Sequence, residues 1–164
     1  EKEENGMASD MLVKLYNVKD EPELYEKLAA EGITIKRAYS GDKAKVLAFV
    51  RENFSDTWVS ECEKCFANTP VTCYIAVQEK YVIGFACYEI SAKDFFGPIG
   101  VKEEKRGSGT GKALLLKCMI SMREMGYGYA VIGWVGPEDF YKKCVGAVPI
   151  PDSHPGIYAD RVDY

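Results

Sequence analysis

Gly107, Gly109 and Gly111 alternate with Ser108 and Thr110 at the junction between two apolar runs, and no other stretch of the chain constrains the fold as much. Upstream, Phe95 to Val101 reads as a strand broken by Gly97-Pro98 and Gly100. A proline inside a strand demands an edge or a bulge. Downstream, Leu114, Leu115, Cys118, Met119 and Met122 recur at helical spacing from Thr110 to about Met125, and Gly126 is a natural stop. Strand, tight turn and helix follow in that order. Glycine permits positive φ and lets backbone amides approach a ligand. The helix start exposes unpaired N–H groups and the positive end of its dipole, so the junction should attract an anion such as a diphosphate. Arg106 adds a fixed positive charge on the same turn.

Around this unit the pattern alternates between helix and strand. Met11 to Val18 reads as a short strand and Pro22 to Ala30 as a helix, closed by Glu31-Gly32. Ile33 and Ile35 mark a half-buried strand. Helices follow from Ser40-Gly41-Asp42 to Phe54 and from about Asp56 to Ala67. Pro70 ends them. Val71 to Gln78 and Tyr81 to Ile90 form a hairpin across Glu79-Lys80, the second strand apolar on both faces and therefore central. Tyr129 to Trp134 is another strand, Gly136-Pro137 opens a short helix, and Gly146 to Ile150 and Gly156 to Val162 are strand-like. The class is mixed α/β in a single domain over 1–164, with residues 1–10 read as a flexible tail, native or introduced by cloning.

Composition excludes several function classes. The net charge is −4 and no basic run appears, which argues against a nucleic-acid partner. No apolar stretch is long enough to span a bilayer and no secretory signal opens the chain, so no membrane partner and a cytoplasmic location are expected. The six cysteines, at 62, 65, 73, 87, 118 and 144, lie in apolar strand and helix patterns and read as reduced, core-filling thiols. Cys62-x-x-Cys65 lacks two further ligands at matching spacing, and the one histidine, His154, stands alone near the C-terminus, so no metal site is expected.

Spacing narrows the phosphate ligand. A P-loop ending at Gly111-Lys112 would need Gly at 106 and Ser or Thr at 113, where Arg and Ala stand. A dinucleotide fingerprint from Gly107 would need a small residue at Lys112. What Arg106-Gly107-Ser108-Gly109-Thr110-Gly111 does resemble is the Gln/Arg-x-x-Gly-x-Gly/Ala signature of the GNAT superfamily of N-acetyltransferases. Val101, five residues before Arg106, stands where the family's fourth-strand valine does, and Phe140-Tyr141 to Gly146-Ala147 is similar to the family's Phe/Leu-Tyr-x-x-x-Gly-Phe segment. The resemblance covers residues 33 to about 150. One extra residue separates Tyr141 from Gly146, and Gly136-Pro137 replaces the usual Asn after the fifth strand.

The resemblance implies a GNAT-like fold with a mixed, mostly antiparallel sheet flanked by helices and splayed fourth and fifth strands. It implies acetyl-CoA as co-substrate, with no metal, and direct attack by an amine in a ternary complex. Residues 106–112 (Arg106, Gly107, Ser108, Gly109, Thr110, Gly111, Lys112) would hold the diphosphate. The main chain of Ile99, Gly100 and Val101 would hold pantetheine and polarise the thioester carbonyl. Tyr141 is the family-matched proton donor to the leaving thiolate, with Phe140 the more core-like of the two rings. A lysine-like amine costs about 4.6 kcal/mol to deprotonate at pH 7. The family's usual fourth-strand carboxylate is missing between Phe95 and Val101, which makes Glu89 the first substitute base and Glu61 the second. Trp58, Phe95, Phe96 and Trp134 are candidates for an aromatic acceptor pocket. The acceptor is an amine of a small molecule or peptide, and a homodimer is compatible with the chain. A non-catalytic acyl-CoA-binding or sensing module is the competing reading, and a purely structural domain a more distant third.

Overall fold

The computed structural model describes residues 8–162; the expected N-terminal tail lies outside them up to residue 7. Residues 8–10, read as part of that tail, are tied down. Ser9 O accepts Val135 N–H, and the buried Asp10 carboxylate accepts Trp134 N–H.

Strand β1 (Met11–Lys14) is shorter than its apolar pattern suggests, because the chain turns into a 3-10 helix at Leu15–Asn17. Leu15 is fully buried and its N–H bonds to Gly128 O, so the apolar run continues as a core turn rather than as strand. Helix α1 (Pro22–Ala30) starts on proline, whose missing N–H costs nothing in the first turn. Strand β2 (Ile33–Arg37), helix α2 (Lys43–Asn53) and helix α3 (Asp56–Ala67) follow, and the Ser55 side chain caps α3 by accepting Trp58 N–H at 3.2 Å. Then come β3 (Cys73–Gln78), β4 (Tyr81–Tyr88), β5 (Phe95–Val101), helix α4 (Thr110–Glu124), β6 (Tyr129–Ile132), helix α5 (Glu138–Val145) and the two-residue β7 (Val148–Pro149).

These strands form a seven-stranded sheet in the order β2-β3-β4-β5-β6-β1-β7, antiparallel except where β5 meets β6. Two clusters of buried apolar side chains hold the layers together. One joins Leu114, Leu115, Met119 and Met122 of α4 to Ala76, Ala86 and Tyr88 of the sheet. The other joins Val46 and Val50 of α2 and Val59 of α3 to Ile75 and Phe85. β4 contributes to both, as expected for a strand apolar on each face. The segment 156–162, read as strand, is instead a 3-10 turn at Gly156–Tyr158 followed by irregular chain; Tyr158 packs its ring 4.5 Å from that of Trp134. β6 likewise stops at Ile132, because Trp134 takes a left-handed φ of 40° that a strand cannot continue. Among the described residues no helix is long and apolar enough to cross a membrane.

Candidate active site

The sheet opens at β5. Its parallel pairing with β6 covers only Phe95↔Val131 and Phe96↔Ile132. On the other side, β5 pairs with β4 through Tyr88↔Phe96 and again from Ala86↔Ile99 to Gly84↔Val101, so Gly97 and Pro98 together oppose Cys87 alone. Two residues against one is a β-bulge, placed where the Gly-Pro sequence predicts distortion. The hydrogen-bonded pair set by Lys102 N–H to Ile83 O fixes the alternation beyond it. Gly100 faces β4, whereas the N–H and C=O groups of Ile99 and Val101 point into the gap beside β6.

The glycine loop closes one end of this gap. Gly107 and Gly109 have φ of 85° and 93°, a region in which an L side chain is strained, and Gly109 caps α4. Arg106 Nε donates to Val101 O at 3.1 Å, which is the physical meaning of the five-residue spacing between them. Ser108 and Thr110 do not line the cleft with their side chains. The Ser108 hydroxyl donates to Lys105 O at 2.9 Å and lies 2.7 Å from Thr110 Oγ1, stapling the loop from within. The first-turn amides of Gly111 and Lys112 have no acceptor inside the helix, and Lys112 Nζ pairs with Glu21 at 2.7 Å. Phe54, Ile99, Arg106, Gly109, Lys112 and Phe140 line a cleft of about 530 Å³ along this edge. An elongated anionic ligand fits it, diphosphate at the helix start and amide-bearing arm along β5.

A second hollow of about 440 Å³ adjoins the bulge, walled by Trp58, Glu61, Phe96, Pro98, Trp134 and Tyr158. Three of the four aromatics expected there are present. Phe95 is absent from the wall; its ring lies beside Gly133, where an added Cβ would come within 3.2 Å of it. Tyr158 takes its place from a segment whose sequence pattern carried no sign of the contact. Among the described residues Glu61 is the one carboxylate in the wall; burial raises its pKa above the ordinary value, partly offset by Ser91 Oγ donating to it at 3.5 Å. Glu89, the first-choice base, lies outside this hollow. It follows β4 at a left-handed φ of 64°, its carboxylate accepts Asp94 N–H, and it borders a separate hollow with Arg37, Ser121 and Glu124.

The rings at the start of α5 have the reverse of their expected burial. Phe140 lines the cleft, whereas Tyr141 is 5% exposed and packs against Phe96 with ring centroids 6.3 Å apart. Burial holds the Tyr141 hydroxyl well above its usual pKa, and it makes no hydrogen bond among the described residues. α5 ends at Gly146, which takes φ 64°. His154 is a loop residue whose Nδ1 lies 2.6 Å from Ala8 O and whose ring stacks on Trp134.

The bulged, half-unpaired β5 and the glycine loop leading into α4 agree with comparison to known proteins. The model of the Acetyltransferase (GNAT) family matches residues 33–146, and the chain belongs to that family. Among solved structures, a GCN5-related glucosamine N-acetyltransferase region of a fungal multi-domain GH3 β-N-acetylglucosaminidase aligns with TM-score 0.72 and 17% identity, over 88% of this chain and 20% of that one. The GCN5-related N-acetyltransferase of Sphaerobacter thermophilus aligns with TM-score 0.68 and 22% identity, over 91% of this chain and 51% of its own. A Drosophila protein aligns with TM-score 0.60 and 14% identity, over 88% and 48%. At these identities the likeness is one of fold, and the chain spans about half or less of each of those structures. No curated protein sequence matches the chain.

Proposed function

We propose that this chain transfers an acetyl group from acetyl-CoA to a primary amine of a small molecule or peptide, by direct attack in a ternary complex. The observation that carries this reading is the free edge of β5. Ile99 and Val101 turn main-chain groups into a gap with the glycine loop at one end and the hollow beside Gly97-Pro98 at the other. Pantetheine amides would pair with that edge as an added strand, bringing the thioester to the bulge. A strand N–H then polarises its carbonyl as charge develops on the oxygen.

The amine enters from the aromatic hollow. Trp58, Phe96, Trp134 and Tyr158 suit an ammonium or its apolar body, and Glu61 holds the ammonium and accepts its proton. This moves the base from Glu89 to Glu61, the carboxylate that borders the bulge. The amine nitrogen bonds to the thioester carbon, the C–S bond breaks, and the leaving thiolate takes a proton from Tyr141, whose ring rests on Phe96 where pairing with β6 ends; the second nitrogen proton, released as the amide forms, returns through water to the Tyr141 oxygen.

An acetyl-transfer screen over amine libraries, read by release of free CoA thiol, tests the assignment. Turnover of at least one amine class is expected. Glu61→Gln should lower kcat/KM and Tyr141→Phe should lower kcat, each by about 10²-fold, with acetyl-CoA affinity nearly unchanged. The Tyr141 hydroxyl bonds to nothing among the described residues, so the phenylalanine variant should also keep wild-type stability. Acetyl-CoA binding without turnover of any amine would favour the non-catalytic acyl-CoA-binding module instead.

A further inference from the structure

Four of the six cysteines converge on one point beneath α3. Cys62 and Cys65 lie three residues apart on that helix and so share a face. Cys73 and Cys87 are direct cross-strand partners on β3 and β4. All four are fully buried. The Sγ atoms of Cys65, Cys73 and Cys87 lie within 4.8 Å of one another, and Cys62 Sγ is 3.7 Å from Cys87 Sγ. The pair that the sequence left without partners thus meets two further thiols, brought from the sheet by register rather than by spacing.

Four zinc–sulfur bonds of about 2.3 Å at tetrahedral angles set sulfur atoms about 3.8 Å apart. Cys62 and Cys87 already stand at that separation; Cys65, Cys73 and Cys87 need close by no more than about 1 Å to reach it, and Cys62 has further to move toward Cys65 and Cys73. The surroundings are apolar: Val46, Val50, Val59, Ile75 and Phe85 pack in the same cluster. A set of sulfur donors alone, closed to solvent, selects a soft cation and leaves no position for substrate or water.

We propose that Cys62, Cys65, Cys73 and Cys87 form a closed structural site for one zinc ion, which pins α3 to β3 and β4. Binding exchanges thiol protons for the metal and releases them to solvent, with no change of oxidation state. Cys65, whose Sγ sits 2.8 Å from Cys62 O, turns from that carbonyl toward the ion. Because the site is fully enclosed, zinc enters as the domain folds. The pinned helix is the one that carries Trp58 and Glu61 into the hollow beside β5, so the ion would set the position of that wall.

The test uses the full chain, produced in zinc-supplemented medium and purified under reductant without chelator. Elemental analysis should find one zinc per chain. In denaturant, four of the six thiols should stay silent to a thiol reagent until a chelator is added, whereas Cys118 and Cys144 react at once. Refolding with cobalt(II) chloride in place of zinc should give thiolate-to-cobalt charge-transfer absorption, and refolding with chelator should lower Tm by about 5 °C or more. A Cys73→Ser/Cys87→Ser variant should lose the zinc, while Cys144→Ser should keep it. Since the double variant can fail to fold for packing reasons, the wild-type protein decides. Wild type that lacks zinc both as purified and after refolding with zinc chloride, yet still binds acetyl-CoA, overturns the proposal. Copper or iron in place of zinc overturns it as well.

Discussion

Asp94 is the residue whose surroundings agree least with its charge. It sits between β4 and β5 at a left-handed φ of 66°, and its Oδ1 is buried with no hydrogen-bond partner among the described residues. Burial, and after it the charge of Glu89, raises its pKa from 3.8 to about 6. A carboxyl that binds its proton more tightly when folded contributes most stability below its unfolded pKa, and loses that contribution as pH rises through its folded pKa. Here the loss falls between about pH 4 and pH 6, leaving the neutral-pH protein with an unfavourable buried charge. Asp94→Asn removes the charge, supplies an N–H donor and suits the left-handed backbone. Since the carboxyl is still partly solvated, the expected gain at pH 7 is modest, about 1 kcal/mol. Denaturant unfolding at pH 7 and near pH 4.5 checks it: the gain should shrink at the lower pH, where wild-type Asp94 is itself neutral. A gain independent of pH would point to the backbone rather than the charge.

At the scale of elements, the loop between β5 and α4 must combine conformation and close approach. Gly109 has both demands on it, with φ 93° and an added Cβ meeting Leu24 at 3.0 Å. Gly109→Glu therefore strains the turn and places a negative charge where a diphosphate would lie. Loss of CoA binding is expected, with stability falling by about 1–2 kcal/mol but the fold retained. Calorimetric titration and circular dichroism together check this, and unchanged CoA affinity would show that the turn is structural only. This loop was legible in the sequence because everything it needs is local: positive φ, small residues, a helix start and an arginine five positions after a strand residue. The bounds of α1, α3 and β5 were legible for the same reason, through proline and apolar period. Local pattern failed where a distant contact decides. Tyr158 leaves an extended pattern to pack on Trp134, Leu15 turns off β1 into the core, and Glu89 and Asp94 take left-handed conformations that no glycine announces. The partnership of Cys62 and Cys65 with Cys73 and Cys87 depends on how α3 lies over the β3–β4 register, which residue spacing alone does not encode.

For the whole molecule, the question is which anion the cleft prefers. A helix start with positive-φ glycines binds phosphate groups of many kinds, and with a net charge of −4 the chain as a whole offers anions no general attraction. Selectivity must come from what lies beyond the diphosphate. The cleft continues from Arg106 and Lys112 along Ile99 and Val101, whose main-chain groups face away from β4, and past Phe54, whose ring leaves no room for a Cβ at Gly100. ATP and NAD carry the diphosphate but no arm of peptide-like amides to complete the β5 edge, so most of that surface would stay unpaired under them. On the proposed reading, acetyl-CoA would satisfy loop and edge together. At about a hundred times its Kd, a ligand specific to the folded state adds about 2.7 kcal/mol, or about 5–10 °C in Tm for a chain of this size. Acetyl-CoA should therefore raise Tm by that amount, while ATP and NAD at the same concentration give only a small fraction of it. A matching shift from ATP would mean that the glycine loop binds phosphate alone and that the open edge of β5 contributes nothing to recognition.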